Sequence, residues 1–527
     1  MRIERLTRMA GPAEPCNSIS ANNQSVPQLS PWKSLCTGFL VCVALAIASP
    51  AQTVTLNTLA SFDLTNGANP DLMTLIQGRN GNLYGTTFAG GAIYDGSSAN
   101  AGTIFKISPG GTLTSLFSFC EQDCTEGFAP FSGLVQGNDG NFYGTTSTFG
   151  GGANCATNQD GCGAVFKMTP AGVVTKLYSF CSLPGCADGG GPVGQLILGS
   201  DGNFYGTTAG GGAASPFPAG TAFKITPAGV LTTLHSFGEC AQTSCPDGYS
   251  PEAGLVQASD GNFYGTTCCG GSQDDGTVFK VNAKGGFKTL YSFCSQPLCA
   301  DGFAPYAALV EANNGMLYGS TIEGGADSFG TVFQINLKTD ALTTVHTFND
   351  NGDGGSPFAA MILGSDGNLY GTTSLNNVNG EGTIFRLTPS TGTLTTLYNF
   401  CIQANCMDGE EPFGGLLQDT NGKFYGTTYQ GGAATGVGYG TVYSLSAGLR
   451  PFVKTQPTAG SVGAPVIILG SNLTGTTSVT FNGTAATFTV VSKSEIKTTV
   501  PTGATTGKIK VTTPTSVLTS NVSFEVN

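Results

Sequence analysis

The chain has 527 residues, 79 of them glycine, with only 10% charged residues and a formal charge of -12, enough length for one large domain and a smaller one. Its 21 Lys and Arg, spread over that length, form no basic stripe, which excludes a nucleic-acid partner and disfavours an anionic membrane surface. Short runs of Thr, Val, Phe and Tyr between glycines favour strands joined by tight turns, so an all-β protein is expected.

Taken in order, residues 1-51 read as a leader. Lys33 precedes an apolar run from Leu35 to Ile47, followed by the small residues Ala48, Ser49 and Ala51, the pattern of a secretory signal peptide. The run is shorter than the roughly 20 residues of a spanning helix, so no transmembrane anchor is expected after cleavage. Cys16, Cys36 and Cys42 leave with the leader. The expected location is outside the cell or on its surface, and the expected state is a monomer.

From residue 52 to 448 one phrase recurs, an aromatic or apolar residue followed by Tyr-Gly-Thr-Thr or a close variant, at Tyr84, Tyr143, Tyr205, Tyr264, Tyr318, Tyr370 and Tyr425. The gaps run from 52 to 62 residues, the range of propellers, solenoids and arrays. The unit from Gly133 to Phe180 parses into four strands. These are A at Leu134 to Gln136, B at Phe142 to Thr146, C at Ala164 to Met168 and D at Val174 to Phe180. Asp-Gly and Pro-Ala-Gly turns join A to B and C to D. The two ends of the repeat complement each other. Val54 to Phe62 matches a D strand with nothing before it, and Leu416 to Leu445 supplies A, B and C with no D after it. A seven-bladed β-propeller closed by the N-terminal strand accounts for both ends, whereas a solenoid would carry atypical caps.

Residues 451-527 change grammar, with alternating strands separated by Gly, Pro and Asn, as in a small β-sandwich. Pro457, Gly460, Gly463, Ile467 to Gly470, Phe481-Asn482-Gly483, Ile496, Val500-Pro501, Gly503-Ala504, Gly507 and Thr513-Pro514 give this stretch its resemblance to an IPT/TIG domain. That resemblance implies an immunoglobulin-like binding or spacer module. The seven copies of N/D-G-N-x-Y-G-T-T, then GG, then G-T-[VI]-F-[KR] resemble the bacterial "choice-of-anchor" GloVer tandem repeat. That implies a surface or secreted protein, and brings no catalytic residue, cofactor or ligand with it.

The remaining cysteines fall mostly into close pairs: Cys120/Cys124, Cys155/Cys162, Cys181/Cys186, Cys240/Cys245, Cys294/Cys299 and Cys401/Cys406. In an exported chain with two histidines these read as disulfides that stiffen loops, in preference to zinc sites. The adjacent Cys268 and Cys269 fit no such pair; a vicinal disulfide or a bond to another chain would each account for them.

Strand parity puts the A-to-B and C-to-D turns at one end and the variable B-to-C and D-to-A loops at the other. The variable, cysteine-bearing end is the candidate binding face. Its D-to-A loops repeat an acidic or amide residue, Gly, two variable residues and Pro, including Asp247 to Pro251 and Asp301 to Pro305. The structural reading of those carboxylates is a turn cap, and the functional one a ring of ligands for sugar hydroxyls or calcium. Asn349 to Gly354 begins like a calcium loop but lacks the later Glu. Phe128, Tyr249 and Phe303 follow the Gly and could stack on a sugar ring or anchor a protein, or be buried beneath the disulfide loop. His235 and His346 stand where other units have Phe or Tyr, so they read as packing residues.

The expectation is a non-enzymatic binding or adhesion protein for a glycan or protein, with Asp247, Asp301, Phe128, Tyr249 and Phe303 at the ligand. One alternative is a carbohydrate-active lyase or hydrolase, for which Glu410, Glu411 and Glu323 are the off-pattern carboxylates. The other is a purely structural scaffold.

Overall fold

The computed structural model describes residues 54–91, 101–120, 124–148, 150, 152, 155, 162–213, 219–238, 245–349, 352–375, 381–433 and 438–527. The leader therefore lies outside the described residues, as do Cys240 and the Asp350-Asn351 step of the supposed calcium loop. No α-helix occurs among the described residues, and no helix there is long and apolar enough to cross a membrane.

Six four-stranded antiparallel sheets follow one another in chain order, and a seventh combines the two ends of the repeat region. We number them 1 to 7 and keep A to D for their strands. In sheet 2 the strands are Val135–Gln136, Phe142–Thr146, Ala164–Met168 and Val174–Ser179, so B and C match the parse from sequence and A and D are each a residue shorter. Sheet 7 is Leu417–Gln418, Phe424–Thr428, Thr441–Ser446 and, as its fourth strand, Thr55–Ser61. The register runs from Thr55 opposite Ser446 to Ser61 opposite Thr441.

Every residue of the Tyr-Gly-Thr-Thr phrase has a packing reason. Strand B is buried throughout in all seven sheets except for the half-buried Met316 that opens the fifth, so both of its faces must be covered. The Tyr ring leans on the residue before the Tyr of the next sheet, with ring centroids 4.2 Å apart for Tyr84 and Phe142, and 4.0 Å for Tyr143 and Phe204. Tyr425 shares a core cluster with Leu83, so the same contact runs from sheet 7 to sheet 1. The Gly gives room to strand C: a Cβ on Gly144 would lie 2.6 Å from the Phe166 ring and 2.9 Å from Leu134. The first Thr reaches the next sheet, as when Thr207 donates to the Ala253 carbonyl at 2.7 Å. The second pairs with the Thr that opens strand C, as with Thr208 and Thr221 at 2.9 Å. Four residues of three types thus satisfy two faces and two buried hydroxyls.

One position breaks the pattern. Where strand C carries Phe105, Phe166, Phe223, Phe279, Phe333 or Phe385, sheet 7 has Tyr443, fully buried and with no hydrogen-bond partner for its hydroxyl among the described residues. Burial drives its hydroxyl pKa upward. Replacing Tyr443 with Phe removes an unsatisfied donor and should raise the unfolding free energy by about 1–3 kcal/mol, read from denaturant midpoints.

At the A-to-B turns the aspartates clamp strand B. Asp139 accepts from the Asn141 amide at 3.1 Å and the Tyr143 hydroxyl at 2.9 Å, with Lys167 at 3.0 Å. Burial pushes its pKa up, but the Asn141, Lys167 and Tyr143 bonds outweigh it and hold the carboxyl at about 2. Asp201 and Asp260 are lowered likewise, against burial, chiefly by Asn203 and by Tyr264 respectively. A folded pKa below the unfolded value gives stability that is present above about pH 4 and lost as pH falls towards 2. The melting temperature should fall across that window, and Asp139→Asn should make the fall shallower.

Residues 451–527 form two further four-stranded sheets, ordered 454–456, 465–469, 495–499, 488–492 and 484–485, 478–481, 509–512, 517–519. Val466, Ile468, Val479, Phe481, Ile496 and Val511 fill the space between them.

Candidate functional site

The D-to-A loops owe their shape to the repeated carboxylate. Asp301 is fully buried and accepts from the Tyr291 hydroxyl at 2.8 Å, the Ser295 amide at 3.0 Å and the Gln296 amide at 3.2 Å. Asp188 and Asp408 repeat this with Tyr178 and Tyr398. In two sheets His takes the Tyr role: His235 bonds Asp247 at 3.1 Å and His346 bonds Asp353 at 2.9 Å. The histidines therefore do more than pack, although His235 also stacks on Phe287 at 3.6 Å. Where the slot holds Tyr or His, as at Tyr178, His235, Tyr291, His346 and Tyr398, it supplies a donor to the loop carboxylate, whereas Phe117 only packs, and Asp353 is further occupied by the Asn349 backbone and side chain.

The disulfides Cys120–Cys124, Cys155–Cys162, Cys181–Cys186, Cys294–Cys299 and Cys401–Cys406 brace the loops of this same face. Cys245 is also disulfide-bonded. Phe128 and Phe303 are half-buried and lean on the core clusters, Phe128 beside Cys120 and Cys124. Tyr249 hydrogen-bonds Asp274 and Cys269. Of the five residues assigned to a ligand from sequence, Asp301 is engaged by the loop, Asp247 accepts from the Gly238 amide and bonds His235 through one oxygen while its other oxygen has no partner among the described residues, Phe128 and Phe303 lean on core clusters, and Tyr249 meets Asp274 and Cys269.

After the Gly, each loop crosses to its neighbour. Its second variable residue takes a positive φ in six of the loops through a non-glycine residue and in the third through Gly191. Its amide donates to the preceding B-to-C loop, as for Ala129 to Ala101, Ala304 to Asp275 and, from sheet 1 back to sheet 7, Asn69 to Tyr439. The following Pro then turns the chain inward.

The residue after that Pro was passed over in the sequence, and in four units, as Val193, Glu252, Tyr306 and Phe358, it lines the centre. A cavity of 530 Å³ is lined at mid-depth by one residue from each unit: Thr74, Leu134, Gln195, Gly254, Ala308, Ala360 and Gly415. At the loop face its wall is Leu72, Val193, Glu252, Tyr306 and Phe358, all of them residues that follow the Pro or stand one beyond it. Ring contacts continue along this rim from Tyr306 to Phe358 at 5.9 Å, Phe358 to Phe413 at 5.3 Å and Phe413 to Tyr429 at 5.5 Å. The legible signal was an apolar or aromatic residue after the Pro in five of seven units.

The other end of the cavity is lined by Lys454, Thr455, Gln456, Pro457, Thr458 and Leu469 of the C-terminal domain. That domain sits on A-to-B turns. Thr420 accepts from the Phe452 amide at 3.0 Å and pairs with Ser471 at 3.0 Å, and Ser494 donates to the Arg79 carbonyl at 2.7 Å. Lys454 donates to the Gln418 carbonyl; desolvation lowers its pKa to about 8, with Asp419 opposing. Glu410, Glu381 and Glu411 gather on the loop face. Burial first, then Glu381 and Glu411, push the Glu410 carboxyl up, and Glu410 shares a hydrogen bond with Glu381. Glu323 is raised by burial and by Asp275.

These features define a tandem-repeat, all-β protein whose sheet order is propeller-like, braced by disulfides. The chain belongs to the Gloeobacter/Verrucomicrobia repeat family, which matches residues 46–186, 94–309 and 298–491. No curated protein matches it. Among solved structures it is similar to a fungal alcohol oxidase of the AA5 family in complex with copper, at 13% identity over 88% of this chain and 98% of that one, with a TM-score of 0.47. A putative 6-phosphogluconolactonase from Bacteroides uniformis gives 16% identity, 62% and 83% coverage and a TM-score of 0.39. TolB from Acinetobacter baumannii gives 11%, 56% and 59%, and 0.33.

Proposed function

We propose that this is an exported, closed seven-bladed β-propeller with an immunoglobulin-like IPT/TIG domain, acting outside the cell as a non-enzymatic binding protein for a glycan or a protein. The observation that carries the reading is the central cavity, lined on the turn face by residues 454 to 458 and on the loop face by Tyr306 and Phe358. An aromatic rim on a braced scaffold supplies stacking area at low entropic cost. Asp247 and Asp301 serve this site by shaping the loops that carry the rim, and Phe128, Tyr249 and Phe303 flank it.

The leader-free chain on a glycan array, with a reducing-sugar release assay beside it, tests the reading. Saturable binding without turnover, lost in Tyr306→Ala and Phe358→Ala at unchanged melting temperature, is the expected result. Absence of any glycan binding, together with no partner retained by the immobilised chain, would sink it in favour of a scaffold. The Glu410–Glu381 pair favours a second reading, a carbohydrate-active hydrolase or lyase, because a carboxyl whose pKa is raised by burial and by a neighbouring carboxylate is the arrangement general-acid catalysis uses. Turnover abolished by Glu410→Gln would establish that reading instead.

A further inference from the structure

We propose that Cys268 and Cys269 close a vicinal disulfide beside the rim of the central cavity, formed by exchange with an external organic disulfide, making this corner of the loop face a redox-sensitive modification site.

Four observations carry it. The two sulfurs lie 2.8 Å apart, inside the contact distance of non-bonded sulfurs and short of the bond of about 2.05 Å by less than one ångström. Both are free thiols, whereas the other described cysteines of this face are bridged, so the face as a whole folds where disulfides form. Their backbone is held: Cys269 pairs with Tyr249 in a two-stranded ribbon, and the Cys268 amide donates to Ser250. Cys245, on that same ribbon opposite Gly271, is already disulfide-bonded and offers no competing partner.

Each sulfur is also met by a tyrosine, Cys268 by Tyr306 and Cys269 by Tyr249. The Cys268 interaction lowers the Cys269 pKa, against burial, while the same interaction and burial raise Cys268. Cys269 is therefore the attacking thiolate. It displaces one thiolate from the external disulfide and forms a mixed disulfide. Cys268 then attacks the Cys269 sulfur and expels the second thiolate. The two protons of the protein thiols end on the two released thiols, and the external disulfide is the species reduced. Adjacent residues hold their Cα atoms about 3.8 Å apart, below the usual disulfide range of about 4.4–6.8 Å, so the closed bond belongs to the reducible class. Tyr306 lines the cavity, so opening or closing the bond acts on a residue of its wall.

The proposal does not depend on the ligand reading. Full-length secreted protein is denatured without reductant in iodoacetamide, digested and mapped by mass spectrometry, before and after reduction. The expected result is a peptide containing 268 and 269 that is two hydrogens lighter than the dithiol and unalkylated before reduction, then doubly alkylated after it. Cys269→Ser should convert Cys268 to a single alkylated thiol in the unreduced sample. Double alkylation of the wild-type peptide before reduction would overturn the proposal. So would either cysteine linked to another peptide or to a second chain on a non-reducing gel.

Discussion

Tyr205→Ala should lower the unfolding free energy by about 3–5 kcal/mol, the largest effect expected of any single change in this chain. The Tyr205 ring is fully buried and stacks on Phe263 of the next sheet at 3.8 Å and 20°, inside a cluster with Leu234, Leu255 and Phe279. Truncation removes that ring from a seam between two sheets, where strands fixed on both sides leave little freedom to collapse into the void. The hydroxyl end is separable, because it bonds Asp201 at 2.8 Å near the surface. Tyr205→Phe should therefore cost only about 1 kcal/mol. Guanidinium unfolding with the disulfides intact measures both. Equal losses for the two variants would show that the hydroxyl clamp, and not the inter-sheet stack, holds the seam.

Asp301→Ala should cost about 2–3 kcal/mol, since it leaves buried donors of the loop without an acceptor. Tyr291, the Ser295 amide and the Gln296 amide all lose the same partner. Asp301→Asn keeps one carbonyl oxygen and should lose about half as much. The pair also decides what the repeated carboxylate is for. If Asp301 acts through the loop, stability and any binding fall together, and both recover in part with Asn. A variant with the wild-type melting temperature and no binding would instead place Asp301 at the ligand.

Much of the architecture was legible because the repeat writes each strand seven times. Strands B and C of sheet 2 match the parse residue for residue, since their ends are set by local turn chemistry at Asp139-Gly140 and the Pro170 turn. Strand A is one residue shorter than the parse, Val135–Gln136, with Leu134 buried in the core just before it. The histidines were legible only as aromatics. Their bonds to Asp247 and Asp353 cross a loop, and no spacing rule announces a contact 12 residues away in one sheet and 7 in another.

By itself, the sequence determined the all-β class, the seven repeats, the cysteine pairs and the pairing of the first strand with the last sheet, all of which rest on local patterns or on complementary ends. Only the tertiary structure decided which side of each loop faces the centre. In four units the residue after the Pro, and not the one after the Gly, lines the cavity, because the positive-φ residue between them stitches the loop to its neighbour and reverses its course. It decided too that the C-terminal domain lies over the turn face, where Thr420 meets Ser471 across 51 residues and Arg79 meets Ser494 across 415. Such contacts depend on two surfaces fitting in space, and a one-dimensional pattern carries no record of that fit.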